Sequence, residues 1–371
     1  MKTPGYVITA DGTVFEGHSI GVEGISSGEL VFNTSMTGYQ EILTDPSYAG
    51  QIVLMTSPHI GNYGTTGLDS QADRPFGAGL VVRSLARTHS NWRAEGSLAD
   101  YLQLHGVIAV AGVDTRRLTR HVRSFGSMPA AIGGGVDRAA VRSAAVEAPR
   151  LEGRDLVKDV TTSRPYEVPA VGPRRGRIVA LDLGIKRDIC ARLAGHGLDV
   201  TVVPAGTSAA DIAALHPDAL FLSNGPGDPE PLAGPIAAVR ATLGTMPVFG
   251  ICLGHQVLGL ALGAATVKLP FGHHGGNHPV RRISDGRVSI TAHNHGFSVD
   301  LAGLGTPDER GAVESPYGPV EPTYVNLNDR TLEGLRAGEA GAFGVQFHPE
   351  AAPGPHDADP LFGEFIRALG S

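Results

Sequence analysis

Cysteine is nearly missing from this chain: 371 residues hold only two, Cys190 and Cys252. Two cysteines cannot staple a chain of this size, so a disulfide framework is excluded and nothing argues for an oxidising compartment. Charge is sparse as well, at 18% of residues with a net charge of −7. No basic footprint for a polyanion exists, which excludes nucleic acid as an expected partner. The opening MKTPGYVITADG lacks the apolar core of a signal peptide. No internal repeat of twenty to fifty residues is visible. No G-x-x-x-x-G-K-[ST] loop occurs, and GNYGTTG and the Gly133–Gly135 run read as turns, so phosphoryl chemistry is expected in another chain. The stretch Ala241 to Val267 carries no Asp, Glu, Lys or Arg. Its glycines, Pro247, His255 and Gln256 fit a buried strand and helix better than a membrane span. A cytoplasmic location is expected.

What remains is 42% hydrophobic, with 51 glycines and 26 prolines scattered among apolar runs, the pattern of a soluble globular protein with many tight turns. The length suggests two domains. Strand-like runs at Gly5–Thr9, Glu29–Asn33, Gln51–Thr56 and Gly79–Arg83 open the first half. A helix capped by Ser97, the strand VIAVAG, a helix capped by Asp114 and a helix over 137–147 follow. The segment 161–176, rich in Pro, Gly and charge, is the expected linker between domains at 1–160 and 177–371. Beyond it, RIVALDL, LDVTVVP, DALFLSN and MPVFG alternate with helical runs, which predicts a mostly parallel α/β sheet. Ligands on such sheets bind at the carboxyl ends of strands.

The segment Gly250–Gly254 (GICLG) lies between MPVFG and the helical run LGHQVLGLALG, with the form of a nucleophile elbow. A sharp reversal at Cys252 needs small neighbours, presents sulfur at a helix N-terminus, and aims the N–H of Leu253 at a developing oxyanion. Taken alone, a glycine-flanked Cys fits a small buried hydrophobe equally well. A cysteine nucleophile also needs a base and a group to orient it. His348 and Glu350 in FHPE are one residue apart, so an extended backbone puts both on one face. The loop Gly225-Pro226-Gly227 after DALFLSN lets backbone approach a ligand closely, although ordinary turns look the same. Cys190 lies in a helical apolar pattern with no base motif nearby and is expected to be structural.

The set SNGPGDP, FGICLGHQ and GVQFHPE resembles the class I glutamine amidotransferase domain. FNTSMTGYQEILTDPSY, SPHIGNYG, GVDTRRLTRHVR and KLPFGHHGGNHPV resemble the small subunit of carbamoyl-phosphate synthetases, so the similarity spans essentially the whole chain. That resemblance implies an N-terminal swivelling β/β/α-type domain that helps dock a large subunit, followed by an open α/β amidotransferase domain. It implies Cys252 as nucleophile, His348 as base and Glu350 as orienting carboxylate. It also implies glutamine contacts from Ser47, Gly225, Gly227, Leu253, Gln256, Asn294, Gly296 and Phe297. No cofactor or metal is expected on this chain, with ATP and Mg expected on the large subunit. The product is expected to serve arginine or pyrimidine synthesis. His293, where many relatives have Gln, and Pro270, where a basic residue is common, depart from the pattern.

Three other readings compete. A glutaminase for anthranilate or guanylate synthesis leaves residues 1–160 unexplained. A metal site on His273, His274, His278, His293 and His295 has no accompanying acidic or Cys ligand set and leaves the elbow unexplained. A non-catalytic subunit is disfavoured because Cys252, His348 and Glu350 are all present.

Overall fold

A computed structural model describes residues 2–369. The chain forms two compact units, one of Met1–Glu152 with Pro270–Gly275 and one of Gly153–Leu269 with Gly276–Ser371.

The first unit is built on a closed seven-stranded barrel. Around the barrel the order is Pro4–Thr9, Val14–Ser19, Ala109–Ala111, Gly79–Val82, Gln51–Met55, Gly24–Asn33 and Met128–Gly134. Gln51–Met55 and Gly79–Val82 pair in parallel and are buried along their whole length, as central parallel strands require. Gly79 allows close backbone approach there: a Cβ would stand 2.9 Å from Ile108 O. The helices Leu98–Leu104 and Thr115–Phe125 begin at Ser97 and Asp114, whose side chains accept the N–H of Asp100 and Arg117. Pro270–Gly275 is bound into this unit by Ser127 N–H to Pro270 O (2.7 Å), Thr34 N–H to His274 O (3.1 Å) and ring contact between Phe32 and Phe271.

The second unit carries an eleven-stranded mixed sheet. Its parallel part runs Leu198–Pro204, Gly176–Asp182, Ala219–Leu222, Val248–Ile251 and Ala342–Val345. These strands are almost wholly apolar and lie between two layers of buried aliphatic and aromatic side chains. Antiparallel strands Leu332–Ala337 and Gly318–Asn326 extend the sheet toward the long strands Ala265–Arg282 and Val288–Asp300. The uncharged stretch resolves into the strand Val248–Ile251 and the helix Leu253–Leu262. No helix among the described residues is long and apolar enough to cross a membrane.

The segment 161–176 contains structure of its own. Tyr166–Val168 pairs antiparallel with Leu198–Pro204, and Thr162 N–H binds Asp182 Oδ2 at 2.7 Å. The unit boundary falls earlier, between Glu152 and Gly153, because the Gly153 N–H is already held by Asp228 Oδ2 at 2.8 Å.

Candidate active site

Cys252 joins the strand Val248–Ile251 to the helix Leu253–Leu262 with φ 55° and ψ −107°, a conformation costly for any side-chain-bearing residue. Its N–H is tied to Val345 O at 2.9 Å. The flanking glycines are steric necessities: a Cβ on Gly250 would meet Gly254 O at 2.5 Å, and one on Gly254 would meet Leu222 O at 2.2 Å. The thiol is 1% exposed and its Sγ lies 3.6 Å from Asn294 O.

His348 and Glu350 meet, but across a turn rather than along the extended backbone expected: the Ala351 N–H returns to His348 O at 3.1 Å. His348 Nδ1 lies 2.6 Å from Glu350 Oε1, with both side chains buried. The strand Ala342–Val345 has already ended there, and an isolated bridge from His348 N–H to Ala292 O (2.8 Å) anchors His348 at the start of that turn. Burial works against protonating His348, yet the Glu350 carboxylate and then Cys252 outweigh it, so the imidazole holds its proton well above the usual histidine range. Burial likewise works against ionising Glu350. The Lys186 ammonium and His348 reverse that and keep the carboxyl low in the acid range.

Lys186 is the residue that sequence reasoning missed. Its Nζ donates to Glu350 Oε1 (2.9 Å) and to Ala351 O (2.6 Å) at 3% side-chain exposure. A turn fixes its place: Asp182 Oδ1 accepts the N–H of Gly184 and Ile185, and Asn224 Oδ1 accepts the N–H of Lys186. The one signal in the sequence is a lysine at the end of an apolar strand, in LDLGIK. One end of that salt bridge lies 164 residues from the other.

The glycine loop stands beside the elbow. A Cβ on Gly225 would lie 2.0 Å from Leu183 O and 2.7 Å from Leu253 Cδ2, so backbone replaces side chain next to the helix start. Gly227, at φ +81°, packs instead toward Leu156. Gln256 spends both amide hydrogens internally, donating to Phe297 O (2.8 Å) and Gln346 Oε1 (3.0 Å). His295 Nδ1 also lies 2.8 Å from Phe297 O, which fixes the Asn294–Phe297 segment. The Phe297 ring lies beneath the Lys268 ammonium, while Gly296 has open space where a Cβ would be. Cys252, His348, Glu350, Gly225, Leu253, Gln256, Asn294 and Phe297 therefore form one cluster in the second unit. Ser47 belongs to the first unit, on the short turn Pro46–Tyr48, where its N–H binds Asp45 Oδ1 at 2.9 Å.

Cys190 is the second cysteine of the chain. It is buried in the helix Arg187–Gly195, and burial pushes its thiol up to about 12, which suppresses thiolate chemistry.

Residues 7–132 match the family model for the carbamoyl-phosphate synthase small chain, CPSase domain, and residues 179–368 match that for class-I glutamine amidotransferases. The chain is 49% identical to a carbamoyl phosphate synthase small chain of Pseudomonas aeruginosa, over 100% of this chain and 99% of the relative. It is 46% identical to one of Streptomyces avermitilis, over 99% and 96%. A solved structure of a glutamine amidotransferase from Thermotoga maritima overlaps 53% of this chain and 96% of its own, at 15% identity and a TM-score of 0.37.

Proposed function

Because this chain belongs to the carbamoyl phosphate synthase small-chain family, we propose that it hydrolyses glutamine through a Cys252 thioester and hands the ammonia to a large synthetase subunit. The observation that carries the chemistry is the buried chain Lys186–Glu350–His348, set against a cysteine on a strained elbow.

The steps follow from the charges. Cys252 sulfur attacks the carboxamide carbon of glutamine, and the carbonyl oxygen becomes an oxyanion facing the N–H of Leu253 and the Gly225 backbone. His348, protonated at neutral pH, gives its proton to the departing nitrogen, which leaves as ammonia as the C–N bond breaks. A glutamyl thioester remains on Cys252. Water then attacks the thioester carbon while neutral His348 takes its proton, and glutamate leaves as the C–S bond breaks. Glu350 never moves a proton; it holds the imidazole and balances its charge, and Lys186 holds Glu350.

Asn294, Gly296, Phe297, Gly227 and Gln256 frame the substrate, and Ser47 joins this assignment on its DPSY motif. The large subunit would bind ATP and Mg, and the first unit would help to dock it. Together they would make carbamoyl phosphate for arginine or pyrimidine synthesis in the cytoplasm. Acid quenching during turnover of carbon-labelled glutamine tests the covalent step. Label retained on wild-type protein and absent from Cys252→Ser supports the thioester; equal labelling of both rejects it.

A further inference from the structure

Thr291, His293 and His295 alternate along the strand Val288–Asp300 and so project from one face. All three are buried, and a fourth buried residue, Glu333 on Leu332–Ala337, joins them from the same unit. His293 Nδ1 lies 3.0 Å from His295 Nε2 and 3.7 Å from Glu333 Oε2. Ligand atoms from His293, His295 and Glu333 lie within 4.8 Å of one another.

We propose that His293, His295 and Glu333 form a buried site for a zinc-class divalent cation. Two imidazoles and one carboxylate are a recognised zinc donor set. A tetrahedral ion with bonds of about 2.0–2.1 Å sets its ligand atoms roughly 3.3 Å apart, and the separations above bracket that spacing.

The outer shell strengthens the case. Each ligand's remaining polar atom is already held: His293 Nε2 by Thr291 Oγ1 (2.7 Å), His295 Nδ1 by Phe297 O (2.8 Å) and Glu333 Oε1 by Asn326 Nδ2 (2.9 Å). Partners of this kind orient metal ligands and fix the tautomers of the histidines. Sequence reading found histidines without an acid because Glu333 lies 38 residues beyond His295 and is delivered only by the sheet. The ion would clamp Val288–Asp300 to Leu332–Ala337 and hold Asn294, between the two histidines, beside Cys252.

The full-length chain, stripped with chelator, is titrated with Zn²⁺ or Co²⁺ and desalted, and its metal content and visible spectrum are read. One retained equivalent and the visible bands of four-coordinate cobalt are expected, both kept in Cys252→Ser and both lost in His293→Gln and Glu333→Gln. Thr291→Val should weaken binding about 10–100-fold without removing a ligand. X-ray absorption on wild-type zinc protein needs no variant to fold and should show nitrogen and oxygen ligands only. A sulfur shell near 2.3 Å would place the ion on cysteine and overturn the proposal. Failure to retain metal, or equal retention in both ligand variants, would overturn it as well.

Discussion

Lys186 brings a full charge into the protein interior, where Glu350 and the Ala351 carbonyl receive it. Lys186→Met would leave Glu350 with His348 as its remaining charged partner, and breaking a buried pair costs about 3–5 kcal/mol. Chemical denaturation should show that loss. Glu350→Gln removes the largest influence that raises His348, so the pH at which His348 gives up its proton should fall, as read by histidine NMR or a pH–rate profile. For linkage, a folded value above the unfolded one near 6.5 gives His348 a stabilising contribution that is complete below that pH. The contribution is lost as pH rises through the folded value. His255 behaves oppositely. Burial depresses it to about 3, with the nearby Gly344 backbone opposing, so stability is lost as pH falls from about 6.5 toward that value. His255→Met should flatten the acid limb of the stability curve. At Cys252 the positive φ reverses an ordinary preference: Cys252→Gly should be more stable than Cys252→Ala by about 1 kcal/mol, although both are inactive.

Among the elements, the elbow and the glycine loop meet where no side chain fits. Gly225→Ala must push the loop away from Leu253, and loss of one oxyanion donor should lower kcat by about 10²–10³. Gly296→Ala meets nothing within 4 Å, so its thermal stability should match wild type. Much at this scale was legible in the sequence because its signals are local. Ser97 and Asp114 cap the expected helices, MPVFG is the strand before the elbow, and the Cys252 helix begins where the glycines say it must. Other features were hidden because their causes are not local. Ala265–Arg282 is extended although it contains prolines, histidines and glycines, since strands far along the chain supply its partners. Lys186 carries no motif, and Gln346 lies within GVQFHPE with no role assigned to it; their importance arises when the sheet sets them against Glu350 and Gln256. Tyr166–Val168 looked like linker because three residues carry no periodicity, and its pairing with Leu198–Pro204 decides the matter.

For the whole molecule, the chain does not divide at a single point. Pro270–Gly275 returns to the first unit and completes it through Phe271 and the backbone bonds to Thr34 and Ser127. A fragment ending at residue 152 should therefore be less stable than the same unit in the intact chain, and should bind a hydrophobic dye at Phe32. Adding a peptide of residues 268–277 should reduce that dye signal. Whether Cys252 releases ammonia from glutamine is decided by glutamate release, measured for wild type and Cys252→Ser with and without the large subunit. Release by wild type that rises when the large subunit binds is expected, and none from Cys252→Ser. Release unchanged in Cys252→Ser, or absent from wild type even with its partner, would contradict that role of Cys252.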